Sequence, residues 1–200
     1  VLRTLFKRGQ PIELKSKDLM LKTPVLGDYQ QWHEVRAGSR KYLTPFEPTW
    51  SETELELSSF KERARRAEKE AMEGVAYAFF IHDMSGPLPT IVGGLNLSDV
   101  RRRVSQSVNI GYWMSEQQSN KGIMTNALNL ALPFIFDVLE LHRANAACLT
   151  DNMRSVRVLE KNGFQHEGSA EGFLKINGKW QDHLLYGLTK ERFEANRAAK

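Results

Sequence analysis

The chain has 200 residues, 41% of them apolar, with a net charge of +4 at pH 7 and a pI near 9.2. That length and apolar content suffice for a buried core, which argues against disorder and for one domain. No apolar run reaches the roughly 20 residues that cross a bilayer, and the single cysteine, Cys148, can form no intramolecular disulfide and suits a reducing compartment.

The first stretch, VLRTLFKRGQPIELKSK, is basic and has neither the apolar segment nor the small-residue cleavage site of a signal peptide. The expected location is the cytoplasm, with residues 1–16 as an N-terminal extension, 17–190 as the domain and 191–200 as a tail. DLMLKT (18–23) reads as a strand stopped by Pro24, and Asp28 to Arg36 as a short helix. Ser51 and Glu54 have the spacing of a capping box and predict a longer helix that Gly74 ends. VAYAFFIH (75–82), TIVGGLNLSDV (90–100) and SVNIGYWM (107–114) are rich in β-branched and aromatic residues, and DMSGPLP and RRRVSQ separate them, so three antiparallel strands are expected. Ile123, Ala127, Leu130, Ala131, Phe134 and Val138 keep helical spacing, and Pro133 is expected to kink that helix. RANAACLT (143–150) is a strand, Asn152 opens a short helix that stops at Gly163, and Asn177-Gly178 pairs the two halves of KINGKWQDHLLYGL as a hairpin. Strands and helices in this order predict a mixed α/β sheet domain with no internal boundary.

Several chemistries are excluded by missing motifs. The chain has no GxxxxGK[ST], no GxGxxG after a strand and no GxSxG. Its five histidines are never at metal-ligand spacing with one another or with Cys148, so no metal is expected. Cys148 sits in an apolar strand and reads as structural, which argues against an acyl-enzyme. QQSNKGIMTNAL (117–128) follows a strand and leads into a helix. Gly122 lets the backbone approach a ligand, and the free N–H groups and dipole of the helix start suit a pyrophosphate, with Lys121 adding charge. The plainer alternative is a helix start and nothing more. Arg63, Arg65, Arg66 and Arg101, Arg102, Arg103 form either a solvated face or a field for a polyanion, whether a phosphate-rich cofactor or RNA.

NIGYWM, NKGIMTNAL, DNMRSVRVLEKNGFQHEG and INGKWQDHLLYGL, in this order and at these distances, resemble the GNAT superfamily of acetyl-CoA-dependent N-acetyltransferases. Within it the chain resembles the RimJ-type ribosomal-protein-alanine N-acetyltransferases, whose substrate-side signature is similar to LTPFEPTW (43–50). The resemblance implies the GNAT fold, a mostly antiparallel mixed sheet flanked by helices and splayed between its fourth and fifth strands. It also implies acetyl-CoA as cosubstrate, without a metal. Its cofactor contacts would come from Tyr112, Trp113 and Met114, from Ser119, Asn120, Lys121, Gly122, Ile123, Met124 and Thr125, and from Asn152 and Ser155. Phe46, Glu47 and Trp50 would meet the acceptor. The loop departs from the family pattern: Ser119 stands for a Gln or Arg, Asn120 for a Gly and Met124 for a small residue. Asn tolerates left-handed backbone, so the loop is expected to keep its shape.

The resemblance also frames the catalytic roles. An N–H of the NIGYWM strand would serve as oxyanion donor, with Tyr112 and Trp113 otherwise core and cleft wall. Asn152 is an N-cap by position and a contact for the pantetheine arm by resemblance. Ser155, one turn on, either protonates the leaving thiolate or is an ordinary helix-surface serine, and Lys161 either meets a phosphate or is solvated. An α-amine, with a pKa of roughly 7.7–8.0, is about one-third neutral at pH 7.5, whereas a lysine near 10.4 is about 0.1% neutral. A weak base or a water chain therefore suffices for an α-amine; Glu116 and Glu171 are the candidate bases, and Glu47 could attract the incoming ammonium. Asp182 and His183 alternate along their strand, so one of them faces the cleft. The expected acceptor is a protein N-terminus, with a ribosomal protein as the model. The alternatives are a small-molecule amine acetyltransferase and a CoA- or RNA-binding module without turnover. No membrane partner is expected.

Overall fold

The computed structural model describes residues 9–199; the first eight residues of the basic N-terminal extension and Lys200 lie outside them. In chain order the elements are β1 (Glu13–Lys15), β2 (Leu19–Lys22), α1 (Tyr29–Gly38), α2 (Arg40–Leu43), α3 (Leu57–Glu73), β3 (Tyr77–Asp83), β4 (Thr90–Arg101), β5 (Ser107–Met114), α4 (Ile123–Pro133), β6 (Arg143–Leu149), α5 (Met153–Lys161), β7 (Gln165–Ile176), β8 (Lys179–Thr189) and α6 (Lys190–Ala198). The strands form one sheet in the order β1-β2-β3-β4-β5-β6-β8-β7. Every neighbouring pair is antiparallel except β5–β6. β1 lies in the stretch read as an extension, so the strands expected as fourth and fifth are β5 and β6.

Period-2 alternation gives the sheet two apolar faces. Phe79, Leu95, Leu97, Ile110, Ala146 and Tyr186 join α4 and α5 in the main core. On the opposite face Phe80 and Ile91 pack with Trp32 of α1 and Phe60 of α3 in a smaller cluster. The tail beyond residue 190 is helical, and Phe193 of α6 stacks on Phe136 with ring centroids 4.8 Å apart.

Two local expectations need correction or refinement. The Ser51–Glu54 capping box does not form. α3 starts at Leu57, after Glu56, which makes no side-chain cap. The Glu54 carboxylate instead accepts from Arg63 at 2.6 Å, so an ion pair with the second turn of the helix wins over a local cap. Gly74 ends the helix as expected, in left-handed backbone at φ 71°. At Pro133 the helix changes pitch: the next five residues, Phe134–Val138, form a π turn, and the Leu139 N–H reaches back to Phe134 O at 2.8 Å. Proline has no N–H to give the Asn129 carbonyl four residues earlier, which makes this the point where the ladder can slip.

Candidate active site

The site is organised by β5. Its parallel pairing with β6 runs only from Ser107↔Arg143 to Ile110↔Ala146, although both strands continue beyond. From Gly111 to Met114 the β6-facing edge of β5 is therefore open. The Ser115 N–H donates to Val92 O at 2.8 Å, which fixes that residue toward β4. Alternation along an antiparallel ladder then turns the N–H and C=O of Trp113 to β4 and those of Tyr112 and Met114 into the opening. The Trp113 side chain needs Gly94 beside it, where a Cβ would overlap the indole nitrogen, and a Cβ at Gly93 would instead meet the Trp113 carbonyl oxygen at 2.5 Å. The Tyr112 hydroxyl donates to Ser155 O of α5 at 3.4 Å. Burial holds that phenol protonated, with its pKa pushed above the ordinary tyrosine value.

On the open side lies a cavity of about 530 Å³, lined by Tyr112–Met114, by the loop and first turn of α4, and by α5 from Asn152 to Lys161. Asn120 and Gly122 both have left-handed backbone, at φ 63° and 78°. This aims the chain into α4 with no capping side chain at Gly122. The first backbone bond of the helix is Asn126 N–H to Gly122 O at 3.1 Å, so the N–H groups of residues 123–125 come before the ladder begins. A Cβ on Gly122 would meet nothing within 4 Å: this backbone faces open space, as close approach by an anion requires. Asn152 is the N-cap of α5, its Oδ1 accepting from Ser155 N at 3.2 Å. Ser155 is half-buried in the cavity wall.

On the other side, toward α1 and α3, a second cavity of about 620 Å³ shares Phe46, Glu47, Tyr112 and Trp113 with the first. Small residues on three paired strands, Ala78, Asn96 and Gly111, leave the floor low. The walls are held by ion pairs. Arg36, buried on α1, makes a bidentate pair with Glu47 at 2.6 and 2.8 Å, and Trp50 Nε1 donates to the same carboxylate at 2.7 Å. The Arg36 guanidinium lies 4.2 Å from the Trp50 ring centroid and 4.8 Å from that of Trp113. The hairpin tip joins this wall through Asn177 N–H to Glu47 O at 2.8 Å.

Residues 18–165 match the family model for the acetyltransferase (GNAT) domain. The chain belongs to the GNAT acetyltransferase family. It is an acetyl-CoA-dependent N-acetyltransferase. It is 31% identical over 164 residues to the [ribosomal protein uS5]-alanine N-acetyltransferase of Escherichia coli (strain K12), covering 81% of this chain and 84% of that one. The ribosomal-protein-S5-alanine acetyltransferase from Vibrio fischeri superposes with a TM-score of 0.83 at 26% identity, covering 91% and 98% of the two chains. Mycobacterium smegmatis RimJ in complex with CoA-disulfide gives 0.82 at 28%, covering 95% and 93%.

The GNAT architecture brings most of the expected residues together. Tyr112, Trp113, Met114, Ser119, Asn120, Gly122, Ile123, Met124, Thr125, Asn152 and Ser155 all line the first cavity, as does Lys161. Lys121 does not: its Nζ is turned to Gln118 Oε1 at 2.9 Å. Trp50 lines the second cavity alone. Glu116 and Glu171 are exposed and line neither. His183 is buried with its Nδ1 2.9 Å from Gln181 O, and Asp182 accepts from Gly172 N–H at 2.8 Å; both lie outside the two cavities. Cys148 is buried on β6, and burial pushes its thiol up to about 11, away from nucleophile chemistry at neutral pH. Of the basic clusters, Arg63 pairs with Glu54 and Arg102 donates to Leu139 O at 2.9 Å. Sequence reading missed Arg36, Tyr42, Arg154 and Arg157. Arg154, Arg157 and Lys161 recur at spacings of three and four, which a helical count would have placed on one face. Arg36 and Tyr42 gave no such signal. Among the described residues no helix is long and apolar enough to cross a membrane, and no cluster of ligating side chains could hold a metal ion.

Proposed function

We propose that this GNAT enzyme acetylates the N-terminal α-amine of a protein, of the ribosomal class that its relatives' names describe, and so acts in the cytoplasm. The observation that carries this reading is the second cavity. It follows residues 76–80 along the sheet, about 13 Å at roughly 3.3 Å per residue. That is room for several residues of an extended peptide, on the far side of β5 from the cofactor cleft.

The cofactor's diphosphate fits the start of α4 and its pantetheine arm the open edge of β5, where Tyr112 and Met114 present backbone groups. An N–H of that edge would meet the thioester oxygen as it gains charge. Glu47 has up to four acceptor positions, and Arg36 and Trp50 fill three. One remains to hold the incoming ammonium, and the other three bonds fix the carboxylate in place. An α-amine needs no strong base, and with Glu116 and Glu171 outside both cavities its proton leaves to water. The neutral amine attacks the thioester carbonyl and a C–N bond forms; the nitrogen, now positively charged, releases a second proton to water, and the tetrahedral intermediate collapses to the amide with loss of the C–S bond. Ser155 gives its proton to the departing thiolate and recovers one from solvent.

A peptide with a free N-terminal Ala, Ser or Thr and an internal Lys tests this, with mass spectrometry locating the acetyl group. Acetylation at the N-terminus is expected, at a rate that rises with pH through roughly 7–8 as the α-amine deprotonates. Modification of the Lys alone, or acetylation of free polyamines while peptides stay unmodified, would overturn the protein-N-terminus reading.

A further inference from the structure

The anion loop places no cation of its own in the cavity lining. Ser119 offers a hydroxyl, and Lys121 is committed to Gln118 outside the cavity lining. Glu47 is the one carboxylate among the described lining residues, and Arg36 already neutralises it. The charge that faces the loop comes from α5. Arg154 Nη1 donates to the Tyr42 hydroxyl at 2.9 Å, with its guanidinium 5.4 Å from the Tyr42 ring centroid. That hydroxyl lies 2.8 Å from Ser119 Oγ. Arg154 has no ion-pair partner among the described residues.

A guanidinium only donates, so the Tyr42 oxygen is the acceptor. The Tyr42 and Ser119 hydroxyls share the second bond of this hydrogen-bonded chain, for which either oxygen can supply the proton. Tyr42 and Ser119 are 77 residues apart, Tyr42 and Arg154 112, so the chain ties three separate elements together at the cleft mouth. Arg154 keeps four of its five N–H donors, beside the uncapped start of α4.

We propose that Arg154 is the cation of the diphosphate site, and that Tyr42 is a positioning residue that holds it against the loop from α2. This rests on the acetyl-CoA reading of the cleft. The loop N–H groups and the Ser119 hydroxyl give directional hydrogen bonds, and Arg154 supplies the charge that residue 119 does not carry.

Calorimetry with CoA and with dephospho-CoA tests the assignment on the wild type, Arg154→Met, Arg154→Lys, Tyr42→Phe and the Tyr42→Phe/Arg154→Met pair. Arg154 is exposed, so the Arg154 single variants are expected to unfold at the wild-type temperature. Losing one charge-assisted contact should weaken both ligands by the same factor, roughly 10- to 100-fold, in Arg154→Met. Arg154→Lys should stay within a few-fold of wild type. Tyr42→Phe should lose severalfold, and that loss should vanish in the Arg154→Met background. The KM for acetyl-CoA should rise by a larger factor than kcat falls in Arg154→Met and in Tyr42→Phe, as a loss of cofactor binding requires. Unchanged affinity in Arg154→Met overturns the proposal. So does a loss seen with CoA but not dephospho-CoA, which would move Arg154 to the ribose phosphate. Independent losses from Tyr42 and Arg154, or an Arg154→Lys as weak as Arg154→Met, overturn it as well. A wild type that binds neither ligand removes the acetyl-CoA reading and this assignment with it.

Discussion

The two cavities on either side of β5 share a wall and are built by opposite means. The cavity proposed for the cofactor is centred on backbone features: an unpaired strand edge, two left-handed residues and an uncapped helix start. The second cavity is made of side chains, Arg36 against Glu47 and Arg63 against Glu54, with Trp50 and Trp113 beside Arg36. Backbone sites suit a ligand that never changes, because N–H groups stay in place whatever the side chains become. A cavity of ion pairs can be re-cut by substitution, which suits the partner that differs between relatives. The contrast predicts that variants on one side of β5 leave the other side's affinity alone.

The largest effect is expected on the side-chain side. The Arg36 and Glu47 side chains are 8% and 18% exposed, so Arg36→Leu strands a carboxylate in a largely dry wall. Removing one member of a buried pair should cost about 3 kcal/mol, whereas removing both should cost much less. Denaturant titration of Arg36→Leu and of Arg36→Leu/Glu47→Leu measures the difference, and CoA affinity should be unchanged in whatever remains folded. A single variant that loses under 1 kcal/mol, or that loses CoA binding with its stability intact, would break the comparison.

The same contrast sets what could be read from sequence. The strand–loop–helix around Gly122, the Asn152 cap and the Asn177-Gly178 turn are local, each determined by a few neighbours, and each appears as expected. The second cavity depends on partners 9 and 11 residues apart and on packing between α1, α3 and the sheet. Here local rules compete and lose: Glu54 fits a capping box by spacing, but Arg63 takes its carboxylate. Glu47 lies in the LTPFEPTW segment, yet no spacing rule announces that Arg36 neutralises it. Glu116 and Glu171 are acidic residues near a loop and a strand, and sequence spacing carries no information on which way an exposed carboxylate points. Tyr42 reaches Ser119 only because the chain folds back across 77 residues.

On the cofactor side the expected effects are chemical rather than structural. Ser155→Ala should lower kcat by about 10²-fold, near the low end for a positioned acid, with CoA affinity and stability close to wild type, since the Asn152 cap uses the Ser155 backbone N–H and not its hydroxyl. Steady-state and single-turnover rates distinguish a slower chemical step from slower release. A near-normal rate would pass the proton to water or to the half-buried Tyr112 phenol, 3.4 Å from the Ser155 carbonyl.

Gly122→Val should give the smallest effect and the cleanest separation of the two cavities. Gly122 has φ 78°, and an added Cβ would meet no protein atom within 4 Å. The variant therefore pays only for left-handed backbone, roughly 1–2 kcal/mol of stability, and its side chain projects into the space through which a diphosphate must approach. CoA affinity should fall tenfold or more, about 1.4 kcal/mol. Gly122→Ala carries a similar backbone penalty with less bulk, so its affinity should lie between wild type and valine. If the loss came from distorted backbone rather than obstruction, alanine and valine would bind equally weakly. At saturating acetyl-CoA the KM for the acceptor peptide should match the wild type in both variants, because the second cavity owes nothing to this loop. Unchanged CoA affinity in a folded Gly122→Val would remove the loop from the cofactor site, and a raised peptide KM would show that the two cavities are not independent.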